Sequence, residues 1–234
     1  MTEQAGPPAA VLNARIIETL GSDIVSGVLA PGDRLTLEGL QHEFGVSRTV
    51  VRDCMRILES MNLVYSKRRV GIVVQERDLW NVFDPRVIQW RLAGPGRTEQ
   101  FRSLTELRVG VEPVAAAAAA RHAAPDERTR ILELAAELRR LGEAGELERF
   151  LDADVEFHTL LLQASGNEMF SSLQNVVAEV LTGRTRQGLM PPNPTEAALQ
   201  GHLLVAEAVA AGDDGAALAH MTALLEEVRQ AVAG

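Results

Sequence analysis

The chain has 234 residues, 46% hydrophobic but only 4% aromatic, which favours packed helices over a sheet-rich core and suffices for one large domain or two modest ones. Its formal net charge is −9, and a single cysteine, Cys54, excludes an internal disulfide and fits a reducing compartment. The start "MTEQAGPPAA" lacks the basic and apolar segments of a secretion signal, and the run "VAAAAAA" is too short to span a bilayer, so a cytoplasmic protein with no membrane partner is expected.

Charge is unevenly distributed. Residues 10–75 sum to +1 and residues 76–234 to −9, and within residues 47–71 six basic side chains face two acidic ones. What matters for a nucleic-acid partner is the local field, not the total.

In chain order, Val11, Ile16, Ile17, Leu20, Ile24 and Val28 form a helical stripe, ended by Gly27 and the "APGD" turn. Thr36 can cap a second short helix that runs to about Phe44. Gly45 breaks it, and Ser47 is placed to cap a third from Arg48 to about Met61. In "LVYSKRRVGIVVQ" two β-branched runs flank a basic turn with a glycine, which predicts a small hairpin. The sum is a winged helix-turn-helix over residues 10–75.

A connector over 76–97 carries Trp80, Phe83, Val87, Ile88 and Trp90, which suggest that it packs; Pro85 starts a helix and Gly94-Pro95-Gly96 ends it. From 98 to 231 the periodicity is helical throughout. Helices are predicted near 98–123, 126–143, 146–165, 168–188, 196–211 and 214–231, with breaks at Pro125, Gly142/Gly145, Gly166-Asn167, "MPPNP" and "GDDG". The fold class is therefore mainly α, a winged helix followed by a bundle of about six helices.

Arg48, Arg52 and Arg56 are spaced four apart and share one face of the third helix. A helix fits the major groove with its first turns on base edges, where Arg can read guanine and Ser/Thr hydroxyls suit phosphate. Ser47, Arg48, Thr49 and Arg52 occupy those turns; Arg34 can add a backbone contact, and Lys67, Arg68 and Arg69 can reach phosphate or the minor groove. The bland alternative is a solvated helix whose arginines pair with Asp53 and Glu59. The cap, the hydroxyl-rich first turn, the preceding helix and the basic hairpin together favour DNA.

The stretch "SGVLAPGDRL…FGVSRTVVRDCMRILESMNLV…GIVV" resembles the winged-helix domain of GntR-type bacterial transcription regulators. Gly27, Leu29, Pro31, Gly32, Leu35, Val46, Ser47, Arg48, Thr49, Val51, Arg52, Leu58 and Gly71 match its pattern. The resemblance implies that Arg34, Arg48 and Arg52 contact DNA with the Gly71 wing nearby. Two departures are Thr36-Leu37-Glu38 for Pro-Ser-Glu and Asp53-Cys54-Met55 for Glu-Ala-Leu. Cys54 there is read as packing rather than chemistry.

A second candidate site lies in "FLDADVEFHTLLLQASGN". Asp154 and His158 are four apart on one helix face, a carboxylate and an imidazole able to ligate one divalent metal, although such a pair also serves as a plain surface hydrogen bond. His202 lies on a later helix and His220 on the one after that. "LTELRVGVEPVAAAAAARHA", "LDADVEFHTLLLQASGN" and "GHLLVAEAVAAGDDGAALAHMTALL" resemble the FCD effector domain of the FadR-type branch of these regulators. That resemblance implies a metal held by Asp154, His158 and His202, with the ligand pocket over it.

The position of the family's last histidine falls on Leu224, one helical turn beyond His220. Three alternatives follow: His220 substitutes through a shifted helix, three protein ligands share zinc, nickel or manganese with effector or water, or no metal binds. Arg108 and Glu112 match the family's Arg-x-x-x-Glu, which makes Arg108 a clamp for a ligand carboxylate, or half of a structural ion pair. Arg184 and Arg186 can face either cavity or water. The connector "DLWNVFDPRVIQWRL" resembles that of regulators responding to sugar acids such as galactonate.

The expected function is thus a homodimeric transcription regulator, a repressor released by a small carboxylate, reading a palindromic operator in double-stranded DNA. The rival is a metal-dependent enzyme built on Asp154, His158 and His202, with Glu156 or Glu207 as base.

Overall fold

A computed structural model of the chain describes residues 9–186 and 194–233. The "MPPNP" break, but for Pro194, lies outside the described residues, as do the side chains of Val11, Arg184 and Arg186. The chain divides into two compact units, one through Arg97 and the other from Thr98.

In the first unit, α1 (Ala9–Ser26) lays Ile16, Ile17, Leu20 and Ile24 into a core shared with Val51, Cys54, Met55 and Leu58 of α3 (Arg48–Ser60). Between them runs α2 (Leu37–Phe44). Thr36 caps α2 by accepting from Gly39 N–H at 3.0 Å, and Gly45 ends it in the left-handed conformation (φ 64°), as the sequence predicts. Cys54 is a free, fully buried thiol, pushed up from its ordinary pKa by burial and then by Asp53.

The predicted hairpin is present as β2 (Val64–Lys67) and β3 (Gly71–Val74), but the sheet has a third strand. The two-residue β1 (Arg34–Leu35) pairs antiparallel with β3, giving the order β1-β3-β2. Too short to show an alternating pattern, β1 is invisible to periodicity. It explains the wing glycine: at Gly71 (φ 109°) a Cβ would stand 2.7 Å from the Leu35 carbonyl oxygen.

The connector packs on this unit. Trp80, Val87 and Trp90 enter the same core, and Trp80 donates its indole N–H to the Gln75 carbonyl at 3.2 Å. In α4 (Pro85–Ala93) Asp84 is the cap, accepting from Arg86 N–H. The Trp90 ring lies where a Cβ on Gly21 would be, so α1 and α4 meet through a glycine notch. Phe83 departs from expectation and is 52% exposed.

The second unit holds seven helices among the described residues: α5 (Arg97–His122), α6 (Pro125–Ala144), α7 (Leu147–Ala164), α8 (Glu168–Ser171), α9 (Gln174–Arg186), α10 (Glu196–Ala211) and α11 (Asp214–Ala233). One helix was expected where α8 and α9 stand. The hydroxyls of Ser171 and Ser172 bond back to main-chain carbonyls of Asn167 and Glu168, and a turn intervenes before α9.

Helix α6 packs on α7 and α10, α10 on α11, and α7 on α9. The core is filled by Leu134, Leu138, Phe157, Leu161, Val205, Val209, Met221 and Leu225, among others. Residues Ala115–Ala120 of α5 are all buried. No helix among the described residues is long and apolar enough to cross a membrane.

Arg128 of α6 ties two helix ends together. Its guanidinium donates to the carbonyls of Ala120 (2.7 Å) and Ala123 (3.0 Å) at the end of α5, and to Val209 (2.5 Å) and Ala210 (3.1 Å) at the end of α10. It satisfies carbonyls that a helix end leaves without a partner and opposes the negative pole of both dipoles. Arg128→Ala is expected to destabilise the protein by about 2–3 kcal/mol, read as a lower denaturant midpoint at unchanged slope; an unchanged midpoint would show that water replaces the clamp at no cost.

Candidate functional site

The first concentration of chemistry lies in the winged helix. Ser47 starts α3 by accepting from Val50 N–H at 3.4 Å, which fixes the direction in which Arg48 and Arg52 leave the helix. A concavity of about 440 Å³ opens between α3 and the wing, lined by Arg48, Arg52, Arg56, Lys67, Arg68, Arg69 and Gly71. Arg34, Ser47 and Thr49 are exposed but stand outside its lining.

The bland reading of the stripe holds only at its far end. Arg56 meets Asp53 at 3.5 Å in an exposed pair, which contributes little. Glu59 instead accepts the Ser66 hydroxyl, joining the end of α3 to the wing. That contact escaped the sequence reading, because residues seven apart across a turn give no periodic signal. Arg69 at the wing tip takes a left-handed conformation (φ 65°), uncommon for a side chain of its size.

The second concentration is buried in the helical unit. Arg108 and Glu112 from α5, Asp154 and His158 from α7, and His202 from α10 are each at most 5% exposed. Arg108 donates through Nε and Nη2 to the two Glu112 oxygens at 2.5 and 3.2 Å, the two-pronged geometry that suits a guanidinium. Its Nη2 also lies 3.3 Å from both ring nitrogens of His158.

The two imidazoles are held alike. His158 directs Nδ1 to Glu112 Oε2 at 2.6 Å, and His202 directs Nδ1 to the Ala198 carbonyl at 2.7 Å. Both partners are acceptors, so each ring can donate from Nδ1, and it donates from Nε2 as well only when it is an imidazolium. Nε2 of each then points to the same atom, Asp154 Oδ1, at 3.4 Å from His158 and 3.0 Å from His202. Fixing Nδ1 in this way orients a metal-binding histidine and raises its basicity.

Electrostatics in the cluster are strongly coupled. Burial favours the neutral form of Glu112, but Arg108 and then His158 override it and bring its carboxyl down to about 2. Burial also opposes the charge on Asp154, yet hydrogen bonds from His158 and His202 hold it well below the usual carboxylate range. His158 is raised: burial opposes its charge, the Glu112 carboxylate overcomes that, and Arg108 pulls the other way. Two carboxylates against one guanidinium leave a deficit of one positive charge, to be met by an imidazolium proton or a cation.

The donor set fits a divalent transition metal. Asp154, His158 and His202 each offer one ligand atom, and these atoms lie within 4.8 Å of one another. Imidazole and carboxylate donors suit zinc, nickel and manganese. Among the described residues His220 is not part of this group, so its substitution through a shifted helix is not what the fold adopts. Helix α11 instead brings Leu224 against Gly201, the neighbour of His202, and buries it to 5% in the apolar core, while His220 stays half-buried one turn away. Glu156 and Glu207, the bases of the enzyme reading, are both exposed; Glu156 is gripped by Arg130 at 2.7 and 2.8 Å.

Comparison with known proteins places both units. Residues 12–74 match the bacterial regulatory proteins of the gntR family, and residues 103–227 match the FCD domain. The chain is 32% identical over 225 residues to the galactonate operon transcriptional repressor of Escherichia coli, covering 92% of this chain and 95% of that one. It is 30% identical over 217 residues to the HTH-type transcriptional regulator LutR of Bacillus subtilis, covering 90% and 96%. Among solved structures, Escherichia coli McbR/YncC superposes with a TM-score of 0.53 at 18% identity, over 95% of this chain and 97% of that one. Streptococcus agalactiae GntR gives 0.51 at 20% identity, over 95% and 100%. These structural likenesses speak to fold; the sequence matches speak to descent. With a basic winged helix at one end and an FCD domain at the other, this chain belongs to the GntR family of bacterial transcription regulators.

Proposed function

We propose that this regulator is a homodimeric repressor released by a small carboxylate, of which a sugar acid is the first choice. The observation that carries the reading is the near-full-length similarity to a galactonate operon repressor. The buried cluster supports an acidic ligand through the cation it would hold: its two carboxylates, Glu112 and Asp154, outnumber the Arg108 guanidinium, and a divalent metal on Asp154, His158 and His202 would reverse that sign.

In this reading Arg48 and Arg52 read guanine edges while Ser47 and Thr49 approach phosphate. Arg34, Lys67, Arg68 and Arg69 neutralise backbone charge around the Gly71 wing. A two-fold dimer matches a palindromic operator, so each recognition helix serves one half-site.

Asp154, His158 and His202 would hold a divalent metal, with Glu112 and the Ala198 carbonyl orienting the two imidazoles. Such a metal supplies a Lewis-acid anchor for ligand oxygens. Arg108 adds a guanidinium for the ligand's negative charge, and the apolar shell strengthens that attraction. Ligand binding biases the spacing of the two recognition helices. A shift of a few Å takes one of them out of register with its half-site and weakens specific binding.

Three measurements test the reading. On genomic fragments selected by the wild-type protein, Arg48→Ala is expected to cost about 1–3 kcal/mol of specific affinity; undiminished binding removes α3 as the reading element. Wild-type affinity is expected to fall steeply as salt rises, and Lys67→Ala to lower the slope by about one counterion; equal slopes would take Lys67 off the phosphate. Elemental analysis is expected to find about one divalent metal per chain in wild type and almost none in Asp154→Ala or His202→Ala. Equal metal content in all three proteins overturns the site.

A further inference from the structure

The concavity between α3 and the wing holds one side chain of the wrong sign for a nucleic acid. Arg48, Arg52, Arg56, Lys67, Arg68 and Arg69 line it, and so does the half-buried carboxylate of Glu59. Positions 52, 56 and 59 share one helix face, so Glu59 closes the stripe that carries Arg52. A carboxylate there opposes the approach of phosphate. Asp53 spends its charge on Arg56, whereas Glu59 accepts the hydroxyl of Ser66 on β2.

The wing is firmly held at its base and less so further out. Gln75 donates from its main chain to the Leu63 carbonyl (2.9 Å) and from its side chain to the Asn62 carbonyl (3.1 Å). β3 is bonded on both edges, but β2 is an edge strand, paired on one side alone. Val64 at its start is 1% exposed, while Tyr65, Ser66 and Lys67 all face solvent. Alternation along the strand puts Ser66 on the side of Val64, which packs in the core with Leu58 of α3. Ser66 therefore carries the packed side of β2 outward to the last turn of α3. Lys67, Arg68 and Arg69 follow it in the chain, so the bond to Glu59 ties the basic tip of the wing directly to α3.

We infer that Ser66 and Glu59 are positioning residues whose bond sets the separation between α3 and the wing, so that Lys67 meets the DNA backbone in the same docking that puts Arg48 and Arg52 in the groove. The inference rests on the reading of α3 and the wing given above and adds the part that spaces them. A wing fixed in advance binds more tightly than one that must be ordered on contact. The rival role for Glu59 is to temper repulsion among the six neighbouring cations. The two roles differ in Ser66, which is half of the strut but irrelevant to the charge.

The test is a double-mutant cycle on the full-length protein, with genomic fragments selected by wild type as the probe and affinity followed across a salt series. Ser66→Ala changes no charge. It is expected to weaken binding about fivefold and to lower the salt slope by about one counterion, as Lys67→Ala does. In a Glu59→Ala background the same change is expected to cost less than about twofold, because the bond is already gone. Ser66→Thr, which keeps the hydroxyl, is expected to restore both affinity and slope. Tyr65 is the only tyrosine of the chain, so fluorotyrosine places a single fluorine resonance beside Ser66. Its width is expected to change in Ser66→Ala and to return in Ser66→Thr; a line unchanged in Ser66→Ala overturns the inference. Undiminished affinity and slope in Ser66→Ala also overturn it and leave Glu59 a charge-tempering group. An equal loss with and without Glu59 overturns it by making Ser66 a direct phosphate contact. If Lys67→Ala itself leaves the slope unchanged, the wing reading fails and this inference with it.

Discussion

Five ionisable side chains sit together in the middle of a helical core, and they must neutralise one another there. An unpaired charge in that setting costs several kcal/mol, so each group has to be placed by another. Glu112 is held by Arg108, His158 by Glu112, and Asp154 by both histidines. The chain of contacts crosses α5, α7 and α10, so the relative position of three helices is specified by polar geometry as well as by packing. Two carboxylates against one guanidinium leave a deficit of positive charge, which an imidazolium proton or a cation would meet.

The opposite economy governs the winged helix. There the charges are exposed, largely unpaired and of one sign, and the core beneath them is apolar. A protein with a net charge of −9 keeps a basic surface because the wing and α3 gather six cations into residues 48–69. The acidic bulk of the second unit discourages indiscriminate attachment to nucleic acid, which depends on the number of phosphates neutralised. The two units thus treat charge in opposite ways: one exposes it on its surface, the other encloses it in its core.

Much of this was legible in the sequence, and the failures have specific causes. Caps at Thr36 and Ser47, the break at Gly45 and the wing glycine are local signals carried by single residues, and the fold uses them as read. Asp154 and His158 were legible because their spacing places them on one helix face. His202 was reached only through family resemblance, since nothing local ties it to a residue 48 positions earlier. The bond from His158 to Glu112 joins α7 to α5 and has no local signature either. His220 was kept as a doubtful candidate because it lies one helical turn before the family's last-histidine position, and it does not join the Asp154, His158 and His202 group. The β1 strand and the break between α8 and α9 were missed because two residues carry no period and serine is a weak breaker. Phe83 shows the limit of residue type as a guide to burial: one exposed aromatic beside a buried tryptophan is ordinary.

The clamp made by Arg128 has a consequence for how the family can drift. Its four acceptors are main-chain carbonyls, so the residues that supply them are free to change identity so long as the helix ends stay where they are. An alignment of relatives would therefore show an invariant arginine facing partners that do not covary with it. Co-variation, the usual statistical trace of a contact, is silent for an interaction of this kind, even though it joins the helix bearing Arg108 and Glu112 to the one bearing His202.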